Sequence, residues 1–228
     1  MLRKRLESEL QRLSDEVLVL GDMVIEAVLE SVGLLKARDL EGSERLIEAD
    51  RAINEKRFDI ESSILVLIAT QQPMASDLRR LAAMLEIIGE LERIGDYAKG
   101  IANINLMIGE KPLIKPLIDV PRMAEKACSM LDHALEAFAN SDVELARAVP
   151  DDDDEVDALY NQVYRELVTF IITDPQHTAQ QANLLLWVAH NLERTADRAT
   201  NICERVIFTA TGGMKELDTH FESDLADQ

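Results

Sequence analysis

Two eleven-residue segments carry the side chains most suited to chemistry. Residues 92–102 read ERIGDYAKGIA and residues 193–203 read ERTADRATNIC. Each opens on Glu-Arg and sets an Asp four positions after the Glu, giving the pairs Glu92/Asp96 and Glu193/Asp197. On a helix, residues i and i+4 stack one above the other, so each segment brings two carboxylates side by side among apolar neighbours. Like charges at that spacing repel. Clustered carboxylates in such a setting hold cations, and hard ions such as Mg²⁺, Ca²⁺, Mn²⁺ or iron suit oxygen donors where thiolate-seeking metals do not.

At about 100° per residue each pair extends into a row. Asp197, Asn201 and Glu204 fall within about 80° of Glu193, and Asp96 and Asn103 within about 40° of Glu92. Leu186 and Ala189 continue the later row toward the N-terminus, and Leu81, Leu85 and Ile88 the earlier one. Two further segments supply acidic rows: Asp50, Asn54 and Glu61 share one helical face, and Asp153, Asp157 and Asn161 another, flanked by Tyr160 and Tyr164. Antiparallel packing would set one row against another and build an all-oxygen site. Without a cation, burial of several carboxylates would force protonation.

A simpler explanation stands beside this one. A single Glu-xxx-Asp pair is most often a solvated helix face, and Arg93, Arg194 and Arg198 could neutralise the carboxylates as ion pairs. The run DDDDE at 151–155 alone reads as a helix start favoured by the helix dipole. Repetition weighs against the simpler explanation, since Asp153 and Asp157 answer Asp50 and Asn54 at a spacing of 103.

The elements that must position these rows also repeat. Pro73 answers Pro175, and Asp39-Leu40 answers Asp142-Val143, so a period near 101–103 divides the chain into two domain-sized halves. Leu6, Leu10, Leu13, Val17, Leu20, Val24 and Val28 recur at three- and four-residue steps. They predict a helix over 2–37. A second helix over 40–70 is capped by Asp39 and broken before Pro73, and a third covers 75–108. Two prolines and a glycine make 109–120 a linker. The plan repeats over 121–140, 142–173 and 177–210, with Pro150 kinking or splitting the fifth helix. The expected fold is all-α, a tandem repeat of two antiparallel three-helix bundles over 1–108 and 121–210, with a frayed acidic tail over 211–228.

Composition narrows the function. Hydrophobic residues make up 47% of the 228, enough for a core, and the net charge of −19 argues against nucleic-acid binding and direct docking on an anionic membrane. No apolar stretch reaches the length of a membrane span and the N-terminus lacks a signal-peptide core, so a cytoplasmic protein is expected. Cys128 and Cys203 sit in apolar helical contexts and read as structural. His190 stands three before Glu193, the reverse of the Glu-x-x-His order of di-iron bundles, and reads as a partly buried or surface histidine. Phosphate-binding loops, nucleophile elbows and HExxH are absent, so no enzyme is expected.

Taken together, the tandem halves, the segments ADRAIN (49–54), QPMASDLR (72–79) and ELERIGD (90–96), the linker EKPLIKP (110–116) and LERTADRATNICE (192–204) resemble the PhoU family. The resemblance implies multinuclear metal clusters, with iron expected and zinc, manganese or magnesium as alternatives. It implies negative regulation of phosphate uptake, with a phosphate ABC transporter and a phosphate-sensing histidine kinase as partners. A homodimer is plausible from the apolar content, and the membrane is reached only through partner proteins. Carried over residue by residue, the second half keeps Asp153, Asp157, Glu193, Asp197, Asn201 and Glu204. The first keeps Asp50, Glu92 and Asp96 but has Asn54, Gly100 and Asn103 where Asp, Asn and Glu stand. The first-half site is therefore expected to bind metal more weakly or hold fewer ions. The competing expectation is a metal-independent acidic module that docks basic partner surfaces.

Overall fold

A computed structural model describes residues 2–213 and 217. Those residues form seven α-helices and no strand: α1 Leu2–Ala37, α2 Leu40–Gln71, α3 Ala75–Ile108, α4 Asp119–Asn140, α5 Val143–Ala148, α6 Asp153–Thr173 and α7 Pro175–Thr211. Helices α1, α2 and α3 pack together as one bundle; α4, α5–α6 and α7 make the second. The linker is two residues shorter than expected because α4 begins at Asp119, whose buried carboxylate accepts from Arg122 and Gln162. Pro150 splits the fifth helix. It starts a 3-10 turn over Val149–Asp152, after which α6 begins afresh at Asp153. The expected fraying of the tail lies outside the described residues beyond Gly213, Leu217 apart.

Side-chain bonds fix the turns. Asp39 caps α2 by accepting from the Gly42 N–H at 2.8 Å. Asn105, fully buried near the end of α3, donates to the Leu34 and Asp39 carbonyls and to Ser43 Oγ, and so clamps the α1–α2 turn onto α3. Arg38, held in the left-handed region at φ 59°, donates to Asn105 Oδ1 and to the Gly109 carbonyl.

The two bundles meet along a pseudo-two-fold axis, on which a residue touches its own counterpart. Cys128 of α4 directs its thiol at the Ile25 carbonyl of α1, 103 positions earlier. At the α3–α7 contact Tyr97 lies beside Arg198, 101 positions later, and, against burial, raises its pKa. Around that point the symmetry is approximate: Asn201 donates to Glu90 at 3.2 Å, while the equivalent pair is Gly100 against Asn191. A Cβ on Gly100 would stand 3.0 Å from Asn191 Nδ2, so this glycine permits close helix packing. The core runs unbroken through both halves, and no described helix is long and apolar enough to cross a membrane.

Candidate metal centre in the second half

Four of the six second-half residues predicted from sequence converge. Asp153 opens α6 and Asp157 lies one turn on; Glu193 and Asp197 lie one turn apart on α7, which packs against α6. Asp153 is 6% exposed, its Oδ1 has no hydrogen-bond partner, and neither does the buried Glu193 Oε2. Burial, then the charges of Asp157, Asp197, Glu193 and Asp154, push the Asp153 pKa up to about 7. Burial followed by neighbouring carboxylates also raises Asp157 and Glu193. Asp197 rises through burial even though Arg194, Arg198 and His190 oppose the shift. Tyr160 lies alongside, its hydroxyl pKa raised by burial and by Glu193.

The cation already present is partial. Arg194 donates to Asp197 Oδ2 at 2.7 Å, and its Nε lies 3.3 Å from Glu193 Oε2. That side chain is 42% exposed, and its ion pairs are to Glu193 and Asp197. The ion-pair explanation thus covers the outer two carboxylates and leaves the inner two. Among the described residues no three His, Cys, Asp or Glu side chains already stand in metal-binding geometry. The donor set still fits a hard cation: all oxygen, mutually repelling, with Asp153 Oδ1 buried and unpartnered and Glu193 Oε2 buried without a hydrogen bond.

Asn201 and Glu204 point elsewhere. Asn201 belongs to the contact with Glu90, and Glu204 accepts from the Leu217 N–H at 2.9 Å and approaches Arg205. Both lie farther along α7, where the row has turned from α6 toward α3 and the chain's end.

The first half is built on the same plan with a different charge balance. Asp50, 5% exposed, accepts from Asn54 Nδ2 at 3.0 Å and from Lys99 Nζ at 2.8 Å. The hydrogen bond to Asp50 raises the Lys99 pKa. Asp96 is raised by desolvation and Asp50, with Lys99 opposing. Glu92 is half-buried on the same helix, and Asn103 donates to the Lys99 carbonyl at 3.0 Å. The acidic spacing does not mark Lys99, but the repeat does: its counterpart 101 positions later is Thr200, which is buried with Oγ1 unpartnered. One repeat holds a lysine ammonium against its buried aspartate; the other has no such group.

A PhoU domain profile matches residues 17–104 and 120–206, one copy per bundle. The chain belongs to the PhoU family. It is 34% identical to the phosphate-specific transport system accessory protein PhoU homolog of Clostridium acetobutylicum, over 96% of this chain and all of that one. The corresponding protein of Caulobacter vibrioides is 37% identical over 90% of this chain and 89% of its own length. Among solved structures, the phosphate transport system regulatory protein PhoU from Streptococcus pneumoniae superposes with a TM-score of 0.84 at 30% identity, covering 92% and 99% of the two chains. PhoU from Pseudomonas aeruginosa gives 0.84 at 31%, covering 91% and 99%. Each match lies within one bundle, the first beginning inside α1 and the second at the start of α4, so each carries one acidic row pair.

Proposed function

We propose that this chain is a non-enzymatic, metal-binding regulator of phosphate uptake. It would restrain a phosphate ABC transporter and phosphate-starvation signalling from the cytoplasm, reaching the membrane only through partner proteins. Support for the phosphate role comes from full-length similarity to phosphate-transport accessory proteins. The observation that carries the metal is Asp153, a buried carboxylate whose Oδ1 is unpartnered and whose nearest charges are three or more carboxylates. Asp153, Asp157, Glu193 and Asp197 would hold the cation. When bound it supplies the positive charge that Arg194 cannot bring to the inner pair. In the first half, Lys99 performs the neutralisation.

Chelator-washed protein reloaded with iron, manganese or zinc should retain metal, and Glu193→Ala/Asp197→Ala should not. Equal, negligible retention in both would sink the metal reading. Deletion in the source organism should raise phosphate uptake or phosphate-starvation gene expression, and no change in either would end the regulatory one.

A second reading has its own observation. A groove of about 840 Å³ lies over the α1–α4 contact, with Ile25, Leu29 and Cys128 among its apolar lining and Asp22, Glu26, Glu30, Glu125 and Asp132 at its walls. This is the surface a metal-independent module would offer to a basic amphipathic segment. Partner binding that falls steeply with salt and ignores chelator would favour it.

A further inference from the structure

His190 lies one turn before Glu193 on α7, with Nδ1 3.4 Å from Glu193 Oε2. That oxygen is buried and has no hydrogen-bond partner. The imidazole and, at 3.3 Å, Arg194 Nε both stand beside it without a hydrogen bond. On its other side the ring packs edge-on against Trp187, centroids 5.4 Å apart at 72°. Trp187 is itself half exposed, so the tryptophan acts as a wall that holds the imidazole toward the carboxylates. Two donors 3.4 Å apart can both reach one ion through bonds of about 2.1 Å, subtending roughly 110° at it. On a helix, residues three apart share a face in either order, so His-x-x-Glu presents its pair as well as Glu-x-x-His does.

The repeat supplies an internal comparison. The residue equivalent to His190 in the first half is Gly89, which has open space where a side chain would begin. The half that keeps a lysine against its aspartate has no nitrogen donor, and the half without the lysine has one.

We propose that His190 is a nitrogen ligand of the cation held by Asp153, Asp157, Glu193 and Asp197, and that it makes the site selective for zinc, iron or manganese over magnesium and calcium. This rests on the metal reading above. Imidazole suits the transition metals, whereas magnesium and calcium take oxygen. Without His190 the site would be an all-oxygen cup with little reason to reject magnesium.

The test uses the full chain loaded with Mn²⁺ and examined by pulsed electron paramagnetic resonance, beside His190→Gln. The wild type should give nitrogen modulation from one imidazole, absent from the variant at equal manganese content. Titrations with Zn²⁺ and Mg²⁺ should show zinc affinity falling on the order of tenfold in His190→Gln, with magnesium affinity little changed. Retained metal without nitrogen modulation, or an unchanged zinc-to-magnesium ratio, overturns the role of His190 and leaves the carboxylate site standing. Negligible uptake of both metals by the wild type overturns the two together.

Discussion

At the scale of single residues, the two halves solve one problem differently. Each buries an aspartate near the start of its acidic row. Asp50 has Lys99 at 2.8 Å, whereas burial and the carboxylates of Asp157, Asp197, Glu193 and Asp154 push the Asp153 pKa up to about 7. A carboxyl whose folded pKa lies above its ordinary value of 3.8 binds its proton more tightly in the native state. Its contribution is complete below about pH 4 and is lost as pH rises through about 7. Chelated protein should therefore lose stability between about pH 4 and 7 in urea unfolding, and Asp153→Asn should flatten that slope. A slope of the opposite sign for the wild type would contradict the assignment. Lys99→Thr brings the first half closer to the pattern of the second, with Asn54 still standing where Asp157 does. Lys99 is partly exposed, so the chelated variant should lose about 1–3 kcal/mol. With zinc or manganese it should recover stability and bind more metal per chain than wild type, read by elemental analysis. The carboxylates were legible from sequence because spacing alone sets them on one face. Lys99 carries no mark in the spacing of the acids, and only the difference between positions 99 and 200 of the two copies reveals it.

At the scale of helices, almost every boundary could be read from capping and proline chemistry. Asp39, Pro73 and Pro175 mark ends that the fold confirms, and Pro150 breaks the fifth helix because it cannot continue the hydrogen-bond ladder. That break sets Asp153 at the start of α6, where the helix dipole favours negative charge, whereas Asp50 lies inside an unbroken α2. Sequence could not reveal which face of α7 turns away from α6. The wheel places Asn201 and Glu204 near Glu193, but α3 packs against α7 over the same length and Glu90 captures Asn201. Asn105 was likewise invisible, because its role depends on three acceptors more than 60 positions away in sequence. Asn105→Ala removes the donor that ties the α1–α2 turn to α3 and leaves buried acceptors unpaired. It should cost about 2–3 kcal/mol, seen as a lower urea midpoint at unchanged slope. A loss below about 0.5 kcal/mol would mean that Arg38 carries the clamp alone.

At the scale of the whole molecule, the pseudo-two-fold contact decides whether the halves behave as one body. The core is continuous across it, and Glu90 on α3 holds both Arg198 and Asn201 on α7. The net charge of −19 opposes that compaction, since much of the acidic surface repels itself. A cation bound only in the second half would relieve repulsion locally, yet the shared core transmits its stabilisation to the first. Binding to the native state alone stabilises by about 2.7 kcal/mol when the free ion is a hundred times its dissociation constant. For a chain of this length that corresponds to roughly 5–11 °C in Tm. Calorimetry of zinc- or manganese-loaded protein should therefore show one transition moving upward as a whole. Glu193→Ala/Asp197→Ala should remove the shift while keeping the transition single. If metal instead splits the melt, with the upper component alone moving, the bundles unfold independently and the α3–α7 contact is too weak to couple them. That outcome would assign any signal between the halves to a partner bridging both bundles rather than to the core they share.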